Sequence, residues 1–239
     1  MAKFTRDYFR KYHYRDAESA GTYDERKFGS PAKARYNRAT QKALSQALCL
    51  LADDSRILDM PCGTGRWTEF IIRKRMRYVG GDISLEMMNV CLQKHETIRK
   101  AFDLARMDGS TLPFADKTFD ALLTFKFLSL LPEEIRLDVL REFRRVTRRY
   151  LIAQSQHLRT FCPWRTLKLF VARLFGISWR VKKYETRASL LPLIKSAGFR
   201  VVARQPIRCS ILDFLWPFNL EYLAVLEPES SADPSTGSG

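Results

Sequence analysis

The run Arg56-Ile57-Leu58-Asp59-Met60-Pro61-Cys62-Gly63-Thr64-Gly65 constrains this chain's fold more than any other segment. A short apolar stretch ends on a carboxylate and passes into a turn holding two glycines. A helical pattern follows from Trp67 to Arg75, with Phe70, Ile71 and Ile72 as its apolar contacts. This is the sequence of a buried strand, a tight turn and a helix N-terminus. Glycine lets backbone approach a ligand closely, and the helix start offers free N–H donors. Two ligand classes fit poorly. A dinucleotide turn wants a third glycine where Thr68 stands, and a P-loop wants Lys-Ser/Thr where Arg66-Trp67 stands. Asp59 would also repel a diphosphate, whereas it suits a ligand carrying a positive amino group.

The same alternation continues along the chain. Ala32 to Leu51 reads as a helix with Ala43, Leu44, Ala47, Leu48 and Leu51 on one face. Tyr78–Asp82 reads as a second strand, and Ser84 caps a helix running to His95. Leu104–Met107 and Thr118–Phe125 give two further strands. Pro132–Thr147 is a helix with Glu133 and Glu134 in its first turn and arginines in its last, as the macrodipole favours. Tyr150–Gln154 is the fifth strand. Ala188–Ala197 is a helix stopped by Gly198, and Phe199–Ala203 and Tyr222–Leu226 are two closing strands. Strands alternating with helices predict a single α/β domain, a mainly parallel sheet with helices on both faces. Ligands of such sheets bind beyond the carboxyl ends of the strands. The expected organisation is an N-terminal helical cap over residues 1–50, the main domain over 51–226 and a disordered tail over 227–239. The cap is rich in aromatics, among them Tyr23, Phe28 and Tyr36.

With these motifs in this order, the chain resembles the class I S-adenosylmethionine-dependent methyltransferases of Rossmann-like fold. The resemblance spans about residues 50–226. It implies a seven-stranded sheet with the last strand antiparallel and S-adenosylmethionine as cofactor, with no metal. It assigns Asp59, Pro61, Gly63 and Gly65 to the cofactor turn and Asp82 to the ribose hydroxyls. Ile83 and Met87 would flank the adenine, and Asp108 with Gly109 would read its amino group. Phe125, closing the fourth strand, joins this set. By the same resemblance the segment before the first strand closes over the cofactor, with Tyr23 and Phe28 near the sulfonium. Two departures stand out. Pro61 occupies the family's first glycine position, and Val146-Thr147-Arg148-Arg149 replaces the Lys-Pro-Gly-Gly common before the fifth strand. Asp120, at the start of a buried strand, is assigned to fixing backbone N–H groups.

The acceptor is less legible. Methyl transfer from a sulfonium is an in-line displacement that positioning and desolvation accelerate, and a base is needed only where the acceptor loses a proton. His157, just beyond strand five, is the candidate base; His95 is placed on a helix away from the strand ends. Residues 155–187 hold eight arginines and lysines against one acid, interleaved with Phe161, Trp164, Phe170, Phe175 and Trp179. A basic amphipathic pattern of this kind suits a membrane surface, an ordinary solvated helix face or a nucleic acid, and it forms an acceptor-side insertion in the expected domain plan. The formal net charge of +15, from 41 Lys+Arg and 26 Asp+Glu, points to an anionic partner. Five scattered cysteines without a C-x-x-C pair argue against a secreted disulfide framework and a zinc site, so reduced thiols and a cytoplasmic location are expected. The predicted acceptor is a small molecule or a lipid-linked one, with peripheral contact at an anionic membrane. Nucleic acid ranks second, and the rival from another class is a methyltransferase fold retained only for binding.

Overall fold

The computed structural model describes residues 20–128, 130–154, 187–208 and 221–229. Helices α1 (Tyr23–Phe28) and α2 (Pro31–Leu48) lead into strand β1 (Arg56–Asp59) and helix α3 (Thr68–Arg73). Strand β2 (Arg77–Asp82), helix α4 (Leu85–Lys94), a 3-10 turn (Glu96–Ala101) and strand β3 (Phe102–Arg106) follow. Then come β4 (Phe119–Phe125), α5 (Glu133–Val146) and β5 (Thr147–Gln154). Helix α6 (Arg187–Ser196), β6 (Phe199–Ile207) and β7 (Glu221–Pro228) complete the set.

Local chemistry explains the helix starts. Ser30 accepts the Lys33 N–H at 3.4 Å ahead of Pro31, and Ser84 accepts the Met87 N–H at 3.2 Å, as the sequence predicts for residue 84. The short helix α1 falls within the helical cap expected over residues 1–50, with Asp24 and Glu25 in its first turn, where the helix dipole favours acids. Helix α5 passes straight into β5, with Thr147 already extended at ψ 128. There is no connecting loop there, which accounts for the missing Lys-Pro-Gly-Gly segment.

The seven strands form one sheet in the order β3-β2-β1-β4-β5-β7-β6. All neighbours from β3 to β5 are parallel; β7 runs antiparallel to both β5 and β6, as the resemblance implies. One face packs α2 through Ala43, Leu44, Ala47 and Leu48 against Ile57, Ile152 and Leu223. The other packs Val139, Leu140, Phe143 and Val146 of α5 against Leu58, Leu122 and Leu151. The apolar residues of each strand alternate between these faces, as a sheet covered on both sides requires.

One feature lies beyond the expected boundaries. Strand β7 continues to Pro228, past residue 226, with Arg200 paired to Glu227 and Arg144 donating to the Glu229 carbonyl at 2.7 Å. Asp120 does fix backbone: its Oδ2 accepts the Arg56 N–H at 2.9 Å while Oδ1 pairs with Arg148 at 3.0 Å. No helix among the described residues is long and apolar enough to cross a membrane.

Candidate active site

The parallel strands present their carboxyl ends at one edge, and most of the predicted residues meet there. Past β1, the Met60 N–H still reaches the Leu123 carbonyl of β4 at 2.9 Å, and the Cys62 N–H reaches the Gly81 carbonyl of β2 at 2.8 Å. The Met60–Pro61 peptide is cis. The chain then turns through Gly63 at φ 55 and Gly65 at φ 72, conformations that L side chains rarely adopt. A β-carbon on Gly65 would also lie 2.9 Å from both His95 Cδ2 and Thr68 Oγ1. His95 was expected away from the strand ends. Instead its ring is buried beneath the turn and donates from Nε2 to the Gly65 carbonyl at 2.8 Å.

Asp82 closes the cradle. Its Oδ2 accepts the Gly63 N–H and its Oδ1 the Ser84 N–H, each at 2.9 Å, so one carboxylate organises both the glycine turn and the start of α4. Burial pushes its pKa up, and the backbone N–H donors oppose that shift. Ile83 lies half-buried next to it, with its carbonyl accepting from Arg106 at 3.0 Å. Met87 is buried, its Cε 3.4 Å from where a Gly63 β-carbon would stand. Half-buried Asp108 accepts both the N–H and the hydroxyl of Ser110 on Oδ1 at 2.9 Å, and buried Gly109 faces Phe127. Phe125 stands at the end of β4 with its ring 5.0 Å from that of Trp67. Pro61, Gly63 and Gly65 therefore share one rim with Asp82, Ile83 and Met87.

Asp59 is buried at the base of the cradle. The Tyr78 hydroxyl donates to its Oδ2 at 2.9 Å, while Oδ1 is buried with no hydrogen-bond partner among the described residues. Burial pushes this carboxyl up to about 7; the Tyr78 bond opposes the shift and the neighbouring Asp82 charge adds to it. A buried acceptor without a donor is costly, and a ligand amino group would satisfy it. The orphaned oxygen, the two left-handed glycines and the Asp82 carboxylate fit an adenosyl amino acid. Cys62 and Cys91 are free, and burial drives both thiols up, Cys91 to about 11, so both are neutral.

The N-terminal helices reach the same rim. Asp24 of α1 accepts the Thr64 hydroxyl and the Lys94 ammonium, both at 2.6 Å, which ties α1 to the glycine turn and to α4. Arg66 donates to Asn37 of α2 at 2.8 Å and lies 4.2 Å over the Trp67 ring. Its burial lowers the guanidinium pKa to about 10, against the nearby Tyr36, Tyr23, Asp59 and Asp24. Asp24 carried no signal in the sequence beyond its place at a helix start. His157, the side chain of Phe28 and the basic aromatic stretch 155–186 lie outside the described residues.

Beyond β4 and β5 is a second polar group that the sequence did not single out. Gln154 ends β5, buried on the face that α2 covers, with Nε2 2.6 Å from the Tyr36 hydroxyl and 3.0 Å from Glu221 Oε1. Glu221 opens β7, which reaches this edge because it is antiparallel. Lys126, just past β4, donates its N–H to the Gln154 carbonyl at 2.8 Å and holds its ammonium 4.7 Å over the Tyr36 ring. The available signal was a glutamate opening an otherwise apolar strand, Tyr222 to Leu226.

The methyltransferase-domain family model matches residues 57–149. A demethylmenaquinone methyltransferase from Thermobifida fusca is 31% identical over 170 residues, 62% of this chain and 70% of that protein. A fatty-acid O-methyltransferase from Mycolicibacterium smegmatis is 32% identical over 99 residues; the match covers 40% of this chain and only 34% of that longer protein. Among solved structures, magnesium protoporphyrin IX methyltransferase from Synechocystis shares the fold with a TM-score of 0.62 at 14% identity, covering 84% of this chain and 88% of that one. The chain belongs to the class I S-adenosylmethionine-dependent methyltransferase family. Its cofactor is S-adenosylmethionine, and the cradle is the site that fits it.

Proposed function

We propose that the protein methylates a small-molecule acceptor with an apolar, lipid-like body, working in the cytoplasm with peripheral contact at an anionic membrane. The observation that carries this reading is the pair of relatives in the preceding section, one named for a fatty acid and one for demethylmenaquinone. Both names describe apolar acceptors. The formal charge of +15 supports the membrane contact, because each basic residue near an anionic surface contributes about 1 kcal/mol.

Bound S-adenosylmethionine supplies an electrophilic methyl group on a sulfonium, which an acceptor nucleophile takes by in-line displacement. The chain's own residues set the conditions. Asp59 meets the amino group, Asp82 the ribose, and Asp108 with Gly109 the adenine. Trp67 and Phe125 wall the rim between the glycine turn and the end of β4, restricting water at the site. His157 is the proposed base where the acceptor carries a proton to be lost.

The test is methylation of a fractionated cell extract by the full chain with methyl-labelled S-adenosylmethionine. Label in the organic-soluble lipid fraction supports the reading, and co-sedimentation with anionic but not neutral vesicles supports the membrane contact. Label in RNA, or in polar metabolites alone, contradicts it.

A further inference from the structure

Gln154 is 1% exposed, yet only half of its amide is matched. The Glu221 carboxylate can only accept, so it fixes the amide with nitrogen toward Glu221 and Tyr36. The amide oxygen is thereby turned away from both. Among the described residues, Gln154 Oε1 is buried with no hydrogen-bond partner. Leaving such an acceptor unmet is unfavourable, because its hydration is lost and nothing replaces it. Packing alone does not call for it, since Ile152 fills the same face two residues earlier.

The position of this oxygen gives it a use. β5 lies two strands from β1 in the sheet order, so Gln154 stands roughly 10 Å sideways from the start of the glycine turn. It lies at the ligand edge of the sheet and outside the cofactor cradle. We infer that Gln154, held by Glu221 and Tyr36, positions the methyl acceptor by accepting a hydrogen bond from it. The acceptor then carries a neutral protic head, a phenol, enol or alcohol.

A carboxylate head fits badly for two reasons. It brings Gln154 Oε1 no proton, and it adds a second negative charge beside the buried Glu221 carboxylate. The Lys126 ammonium lies over the ring of Tyr36, where the aromatic face already meets its charge. The inference rests on the reading of an apolar-bodied acceptor and selects among such molecules by their heads.

The experiment measures binding to the full chain saturated with S-adenosylhomocysteine, using 4-nonylphenol and 4-nonylbenzoate, which share a tail and differ in the head. Wild type should bind the phenol at least about tenfold more tightly. Gln154→Leu should remove that preference, and Glu221→Gln should narrow it by admitting the benzoate; both should keep S-adenosylhomocysteine affinity. A merely structural role for Gln154 predicts weaker binding of both heads alike. The inference is overturned if wild type prefers the benzoate, binds the two equally or binds no phenol, or if the preference survives both substitutions. Repeating the pair with 4-methylphenol and 4-methylbenzoate separates the two readings. A phenol preference without tail dependence sinks only the apolar body, and tail dependence with a benzoate preference sinks only the head.

Discussion

Tyr78 donates its hydroxyl to Asp59 across 2.9 Å at the base of the cofactor cradle, and that bond is the only one the carboxylate makes within the fold among the described residues. The two residues sit on adjacent parallel strands, β1 and β2, and both are buried. Burial therefore decides the ionisation of Asp59 until a ligand amine arrives.

One prediction concerns protons. The Asp59 carboxyl is pushed up to about 7, so ligand-free protein at pH 6 carries it mostly protonated. An ammonium beside it pulls that pKa down, and cofactor binding should release a proton near pH 6. Calorimetry in buffers of different ionisation enthalpy reads the release directly. Asp59→Asn should abolish it, and an unchanged proton count in that variant would exclude Asp59 as the amine's partner.

The same shift has a consequence for stability. A carboxyl whose folded pKa lies above its unfolded value, about 3.9, favours the fold fully at low pH and loses that contribution as pH rises through the folded pKa. Ligand-free protein should lose up to about 1.4 kcal/mol per pH unit from this group between about pH 4 and 7. Denaturant melts of wild type and Asp59→Asn across that window test it. The difference between them should shrink as pH falls toward 4.

Gly65→Ala tests the turn. The substitution combines a left-handed backbone with a β-carbon 2.9 Å from His95 and Thr68. It should cost about 1–3 kcal/mol in unfolding free energy and weaken cofactor binding with it. A variant as stable as wild type would mean that the turn relaxes freely.

Asp24→Ala tests the contact between α1 and the cradle. With the Thr64 and Lys94 bonds gone, protease cleavage near residues 20–30 should accelerate and cofactor should dissociate faster. Unfolding of the domain core should shift little. Equal cleavage rates in the two proteins would show that α1 is held by other contacts.

What the sequence disclosed follows from how local each feature is. Asp59, Gly63, Gly65 and Asp82 sit at fixed offsets from apolar strands, so the strand pattern locates them and the shared sheet edge brings them together. His95 was misplaced because nothing in its own helix shows that the Gly65 turn packs onto it. The polar group at the acceptor end was invisible for a related reason. Tyr36 and Gln154 are 118 residues apart and Gln154 and Glu221 are 67 apart. Only the antiparallel insertion of β7 beside β5 and the packing of α2 against them make these three neighbours.

The central claim is that this cradle binds S-adenosylmethionine through Asp82. Titration calorimetry of the cofactor into wild type and into Asp82→Ala, with circular dichroism confirming that the variant is folded, is the direct measurement. Two backbone anchors and the ribose contact are lost together, so affinity should fall by roughly 2–4 kcal/mol, about 30- to 1000-fold. Unchanged affinity in a folded Asp82→Ala protein would contradict the account.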